Sequence, residues 1–290
     1  MRGSAPICMV ICMVIFGTIG LFVRNIALSS EELALYRAIM AAVFVGGFLL
    51  LRGEKADRAA VKKALGWLIA SGVCMGINWI LLFDAYAHTT ISLATLSYYF
   101  APVIVMAAGP LLLKEKLCFR QKLCFTMSTA GMVLLVGAAG GGSNDWIGVL
   151  FGLGAAVFYA GIMLINRFIK GVGGLHRTFF QFVAATAVLL PVVLLRGPLQ
   201  LGTLQTGGIV NLLIVGIVHT GISYCMYFAA IRTLPAQQTA MLSYIDPLVA
   251  VAVSIAPLGI EQLTFWQICG GILILGFTLL NELSIKRSEA

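Results

Sequence analysis

Apolar residues run along the chain in ten blocks of roughly 20, separated by short charged or Gly/Pro-rich breaks: 6–28, 32–51, 64–86, 90–113, 119–139, 145–168, 175–195, 206–230, 236–258 and 264–282. About 20 consecutive apolar residues in a helix span a bilayer core of about 30 Å. The short alternating segments of a membrane barrel do not occur. The pattern therefore predicts an all-α polytopic membrane protein with ten transmembrane helices. Arg2 precedes the first block, as in a signal peptide. Its apolar stretch outruns an h-region of about 7–15 residues and no A-x-A site follows, so it is read as a retained first helix.

Composition agrees. Hydrophobic residues make up 60% of the 290 and charged residues only 10%, where a soluble domain carries about 25% charged. Mean hydropathy is +1.02. The seven cysteines form no C-x-x-C pair and no His/Cys zinc spacing, and are read as packing residues; Cys8 and Cys12, one turn apart, share a helix face. No metal and no cofactor is expected. The net charge of +8 is read as a topology signal rather than a nucleic-acid footprint. With the N-terminus inside, all of the 19 basic residues but Arg24, Arg37 and Arg196 fall in cytoplasmic segments. The positive-inside rule then places both termini in the cytoplasm of a multi-pass plasma-membrane protein.

The blocks also repeat. LLRG occurs at 50–53 and again at 194–197; Gly76-Ile77 returns as Gly221-Ile222, and Phe83 and Ala85 as Phe228 and Ala230, at a constant shift. After one residue of slippage, Ala94, Leu96, Ser97 and Tyr98 match Ala240, Leu242, Ser243 and Tyr244. The chain thus divides into a first unit at 1–143 and a second at 144–290, five helices each. Five is odd, so the second unit enters the membrane from the other side. The charges follow: KEKLCFRQK (114–122) is basic, while its counterpart IEQLTFWQI (260–268) has lost every Lys and Arg. Inverted repeats of this kind build many secondary transporters, with the substrate site near the midplane.

The chain resembles the drug/metabolite transporter superfamily, of the EamA type, over essentially its whole length. The resemblance rests on the two five-helix repeats, on the proline-bearing fourth helix (Tyr99-Phe-Ala-Pro102) and on the acidic turn after it (Lys114-Glu115-Lys116-Leu117). Both features return as Tyr244-Ile-Asp-Pro247 and Ile260-Glu261-Gln262-Leu263. The first helix departs from the pattern in reading IFGTIG where many relatives carry a Trp-Gly pair. The resemblance implies efflux of small metabolites such as amino acids, or of drug-like amines, by alternating access; some relatives import.

Candidate chemistry centres on Asp246. It falls near the bilayer centre, where an Asp costs about 2.5–3.5 kcal/mol on insertion scales and so faces a cavity or a partner. Ser243 lies on its helical face, and Pro247 is expected to kink the helix and free the Ser243 carbonyl, as Pro102 frees that of Tyr98. The fourth helix carries no acid beside its proline. Two roles stay open for Asp246: proton coupling or cation binding, and a satisfied interhelical hydrogen bond. Asn78 and Trp79 lie midway along the third helix, with repeat counterparts Ser223 and Tyr224. His219 shares a face with Ser223 and is a possible proton relay. Tyr98, Tyr99 and Tyr244, with Trp79, are candidates for walling a cavity and stacking on an aromatic or cationic substrate. Glu115 and Glu261 are read as helix-start acceptors, and Arg37 as a side chain that snorkels outward.

No nucleophile elbow, HExxH, P-loop or dinucleotide fingerprint occurs. An intramembrane enzyme would want paired acids or a Ser/His constellation at one depth. A static channel would not need paired proline breaks in inverted halves. The expected function is a secondary transporter, not an enzyme, with a midplane cavity lined by helices 3, 4, 8 and 9 and, as the resemblance implies, by helices 1 and 6. Its partners are a small-molecule substrate, protons as a possible coupling ion, and the lipid bilayer.

Overall fold

The structure is a computed structural model that describes residues 5–112, 119–138, 145–231, 234, 242–255 and 263–285. Its regular secondary structure is helical throughout these residues. Among the described residues six helical segments are long and apolar enough to cross a membrane, and shorter apolar helices accompany them. The turns at Glu115 and Glu261 lie outside the described residues.

In chain order the helices are α1 (Ala5–Gly17), α2 (Ile19–Val23), α3 (Ser30–Leu51), α4 (Arg58–His88), α5 (Ile91–Tyr98), α6 (Ala101–Leu112), α7 (Phe119–Ala138), α8 (Asp145–Asn166), α9 (Gly174–Arg196), α10 (Thr206–Leu213), a π-helical run (Ile214–Ile222), α11 (Ser223–Ile231), α12 (Ile245–Ile255) and α13 (Phe265–Ile285). Local chemistry sets several starts. Ser29 accepts from the backbone N–H of Glu32, Asp57 from those of Ala59 and Ala60, and Thr90 from that of Leu93, each filling donors that a helix start leaves open.

The apolar blocks are less continuous than their composition suggests. The first is interrupted at Thr18, the fourth at Tyr99 and Phe100, the ninth at Tyr244, and the eighth widens into the π-helical run. The two prolines accordingly do not sit inside kinked helices. Pro102 is the second residue of α6 and Pro247 the third of α12. There the first-turn N–H has no intrahelical partner to lose, so each proline starts a new helix rather than kinking a continuous one. The π-helical run is marked by side chains that reach back five residues: Thr220 Oγ1 donates to the Val215 carbonyl and Ser223 Oγ to that of Val218, both at 2.9 Å.

Helix packing follows the repeat. Helix α4 packs on α8 as α11 packs on α1; α5 and α6 pack on α8 as α12 packs on α1; α4 packs on α9 as the π-helical run packs on α3. Glycines permit the last pair of contacts. A Cβ on Gly76 would stand 3.3 Å from Leu189, and one on Gly221 2.7 Å from Phe44.

Three further pairs, α3–α9, α5–α12 and α7–α13, join repeat equivalents directly, and each runs antiparallel. In the first, Glu31 meets Arg196 while Gly46 meets Phe179. In the second, Ser92 meets Ser254 while Tyr99 meets Asp246. In the third, Gly131 approaches Gly270 while Cys124 clusters with Phe277. Antiparallel contact between equivalent helices is what a two-fold axis lying in the membrane plane produces.

Candidate functional site

The interruptions converge. A cavity of about 140 Å³ is lined by Phe16 and Gly17 of α1, Ile19 of α2, Arg37 of α3, Trp79, Leu82 and Tyr86 of α4, Thr95 and Tyr98 of α5, Tyr99 at the fourth-block break, Tyr159 of α8, Tyr224 of α11, and Asp246 and Ala250 of α12. Five of its side chains are tyrosines and one is a tryptophan, so the wall is aromatic with hydroxyl tips. Within it Tyr98 stacks on Tyr159, ring centroids 5.1 Å apart, and Tyr224 meets Phe16 edge-on at 5.6 Å.

Asp246 lies in the first turn of α12, where the helix dipole favours negative charge. The Tyr99 hydroxyl donates to its Oδ2 at 2.5 Å. This bond joins the break of the first repeat to that of the second. Behind the carboxylate, α1 comes close: a Cβ on Gly17 would lie 2.6 Å from the Asp246 carbonyl oxygen. The break and the glycine together let a polar backbone approach another helix inside the bundle.

Arg37 is the second charge on the cavity wall. Expected to snorkel outward, it is instead 5% exposed, because α3 is enclosed by α4, α9 and the π-helical run rather than placed at the bundle edge. Its Nε–H donates to Thr220 Oγ1 at 2.8 Å, and its guanidinium carbon sits 4.2 Å from the centre of the Trp79 ring and 5.7 Å from that of Phe83. The other two cations assigned to the outer side are held differently. Arg24 donates to the carbonyls of Tyr86 and Thr89 at the end of α4, and Arg196 pairs with Glu31 at 2.5 Å.

The remaining polar candidates divide by what they touch. Trp79, Tyr98 and Tyr99 join Asp246 on the wall. Asn78 turns away and donates to the Ala155 carbonyl at 2.7 Å, fastening α4 to α8. Its repeat counterpart Ser223 is also buried against a neighbour, and its carbonyl accepts from the Cys12 thiol at 3.0 Å. His219 contacts Thr18 Oγ1 at 3.0 Å and the Ile214 carbonyl at 3.3 Å, with its ring 4.9 Å from that of Phe22. It therefore pins the π-helical run to the break in the first block and does not line the cavity. Ser243 is half-buried just before the Tyr244 break.

Tyr244 lines a different hollow, of about 530 Å³, whose wall is apolar apart from that tyrosine and Gln267 and is built from Leu96, α12 and α13. The larger hollow has no charged side chain and a single tyrosine, so the charges and the cluster of aromatics belong to the smaller. Among the described residues no three His, Cys, Asp or Glu side chains converge as metal ligands.

Comparison with known proteins places this geometry in context. A model of the EamA-like transporter family matches residues 3–137 and again 146–282. The uncharacterized transporter YxxF of Bacillus subtilis (strain 168) is 30% identical over 253 residues, 86% of this chain and 80% of that protein. An uncharacterized transporter of Archaeoglobus fulgidus is 24% identical over 280 residues, 96% of this chain and 95% of its own length. A solved crystal structure shares the fold with a TM-score of 0.65 at 17% identity, over 99% of this chain and all of the other.

Proposed function

The chain belongs to the EamA-like transporter family and is a membrane transporter; from its cavity we propose that it is a secondary transporter working by alternating access. Ten spans arranged as two inverted five-helix units, with both termini in the cytoplasm, are the architecture this reading assumes. The antiparallel packing of repeat equivalents supports it. The two units rock about the cavity where their breaks meet, opening it to one side and then to the other. The substrate is a small metabolite, an amino acid or a drug-like amine, exported across the cytoplasmic membrane.

The observation that carries the reading is the Tyr99–Asp246 hydrogen bond at the cavity wall. It joins two broken helices that belong to different units, so a change at the carboxylate is felt by both. Asp246 has two stable arrangements, ionised and accepting from Tyr99, or protonated and free to donate to a neighbour. A proton taken from one side and released to the other then drives the rocking.

The test is uptake and counterflow in proteoliposomes under an imposed pH gradient, with amino acids and amines as probes. Asp246→Asn keeps the shape and removes the charge. The expected outcome is loss of gradient-driven transport, with thermal unfolding in detergent within a few degrees of wild type. Gradient-driven transport undiminished in the variant removes the carboxylate from the coupling step.

A further inference from the structure

We infer that Arg37 reads a carboxylate on the substrate, so that the transported molecule is a small zwitterion held between Arg37 and Asp246. The inference rests on the transporter reading above and narrows its substrate class.

The starting point is a charge without a counter-charge. A guanidinium carries five N–H donors in a planar fork. That of Arg37 uses one of them on Thr220, a neutral hydroxyl, and rests its face on Trp79. Among the described residues its remaining N–H groups meet no acceptor and no acid pairs with it. A cation buried in this way is costly unless something satisfies it. Arg37 lines the cavity, so an acceptor bound there lies beside the rest of the fork.

Asp246 lines the same cavity, yet the two charges do not pair with each other: Asp246 takes its hydrogen bond from Tyr99. A protein that needed only charge neutrality would have joined them. Kept apart, they present one cation and one acid to a common space. A molecule with a carboxylate and an ammonium group completes both at once. The carboxylate fits the fork of Arg37 bidentately. The ammonium meets Asp246 and the faces of the surrounding tyrosines.

Volume limits the size. A protein cavity of about 150 Å³ takes benzene, so the 140 Å³ here admits a molecule of about that bulk, the size of a small neutral amino acid. A doubly anionic phosphate ester would leave Asp246 facing a like charge, and a simple amine would leave Arg37 unanswered.

The experiment separates binding from transport. L-alanine, L-serine, L-threonine and L-valine are each matched with the corresponding decarboxylated amine and deaminated acid. Binding to the purified protein is read from the ligand-dependent rise in unfolding temperature, and transport from flux in proteoliposomes. Wild type is expected to bind at least one of the four amino acids at least tenfold more tightly than either of its matched halves. Arg37→Gln is expected to lose that tenfold preference and to bind the amine as wild type does. Arg37→Lys, which keeps the charge without the fork, carries the test if the glutamine variant does not fold, with the same loss of preference.

The inference is overturned if no amino acid in the set binds wild type. It is equally overturned if amines bind as well as amino acids, or if the substitutions weaken amine and amino acid alike, as a structural role for Arg37 would do. Binding that follows the expected pattern without flux for any compound would sink the transporter reading and leave Arg37 as a carboxylate reader. Arg37-independent flux of amines would do the reverse.

Discussion

The two helix breaks differ by one residue in length and by one acid. LSYYFAPV interrupts its helix at Tyr99 and Phe100 and restarts at Ala101; LSYIDPLV interrupts at Tyr244 and restarts at Ile245. At the position before the proline the first break has Ala101, fully buried against Ala156 and Ala160 of α8. The second has Asp246 on the cavity wall. Each repeat has the same backbone device, a proline in the first turn of a restarted helix, and only one of the two has an acid beside it. The other supplies the partner, since its Tyr99 holds the acid. Of two equivalent breaks, one carries the acid and the other its hydrogen-bond donor.

The sharpest way to break this comparison is to move the acid. Ala101→Asp puts a carboxylate among Ala156, Ala160 and Phe100 instead of in a cavity. A mid-membrane Asp costs about 2.5–3.5 kcal/mol on insertion scales, so the variant is expected to lose several degrees of thermal stability or to fail to accumulate. Combined with Asp246→Ala it should not restore coupled transport. Recovery of gradient-driven flux in that double variant would show that the two breaks are interchangeable.

Removing the donor is a smaller change. Tyr99→Phe keeps the ring and deletes the hydroxyl that meets Asp246. Hydrogen bonds to charged groups contribute about 1.5–3 kcal/mol. The coupled transport rate is therefore expected to fall by about tenfold or more, with a changed pH profile and an unchanged fold. Tyr98→Phe, whose ring stacks on Tyr159, is the control and should lose less. Equal, slight effects in both would mean that the breaks act independently.

Much of this was legible in the chain, because a duplicated sequence states its important positions twice. The paired Tyr-x-x-Pro segments mark the breaks, and the constant shift that relates Gly76 to Gly221 marks two equivalent close helix contacts. The same shift takes Trp79, which lines the cavity, to Tyr224, which also lines it; the signal for Tyr224 lay in its partner. Polarity at mid-depth was a poorer guide. Asn78 and Ser223 are polar, but the Asn78 amide fastens α4 to the Ala155 carbonyl and the Ser223 hydroxyl donates back to the Val218 carbonyl in the π-helical run before it. Period and depth fix a height in the membrane and not whether the neighbour is a void or a carbonyl. Arg37 escaped for the same reason. Near a helix end a snorkelling arginine and a buried one read alike, and only the packing of α4, α9 and the π-helical run around α3 distinguishes them. The π-helical run itself has no composition cue, since its bonds to carbonyls five residues back depend on a register that tertiary contacts impose.

The smallest expected effect lies at the other end of the same pair of helices. Ser92 at the start of α5 and Ser254 near the end of α12 share a hydrogen bond at 2.5 Å, and both are buried. Like Tyr99–Asp246, this bond joins the two repeats, but neither partner is charged and neither faces the cavity. Ser254 also donates to the Val251 carbonyl in its own helix at 2.8 Å, so Ser92→Ala leaves it no orphaned hydrogen. Interhelical hydrogen bonds measured in a membrane protein average about 0.6 kcal/mol. That is under threefold in any equilibrium between conformations. Transport by Ser92→Ala should accordingly stay within about threefold of wild type, and its pH profile should not move. A loss as large as that of Tyr99→Phe would show that joining α5 to α12 matters wherever it is made, and that the chemistry at the break is secondary to the mechanical link.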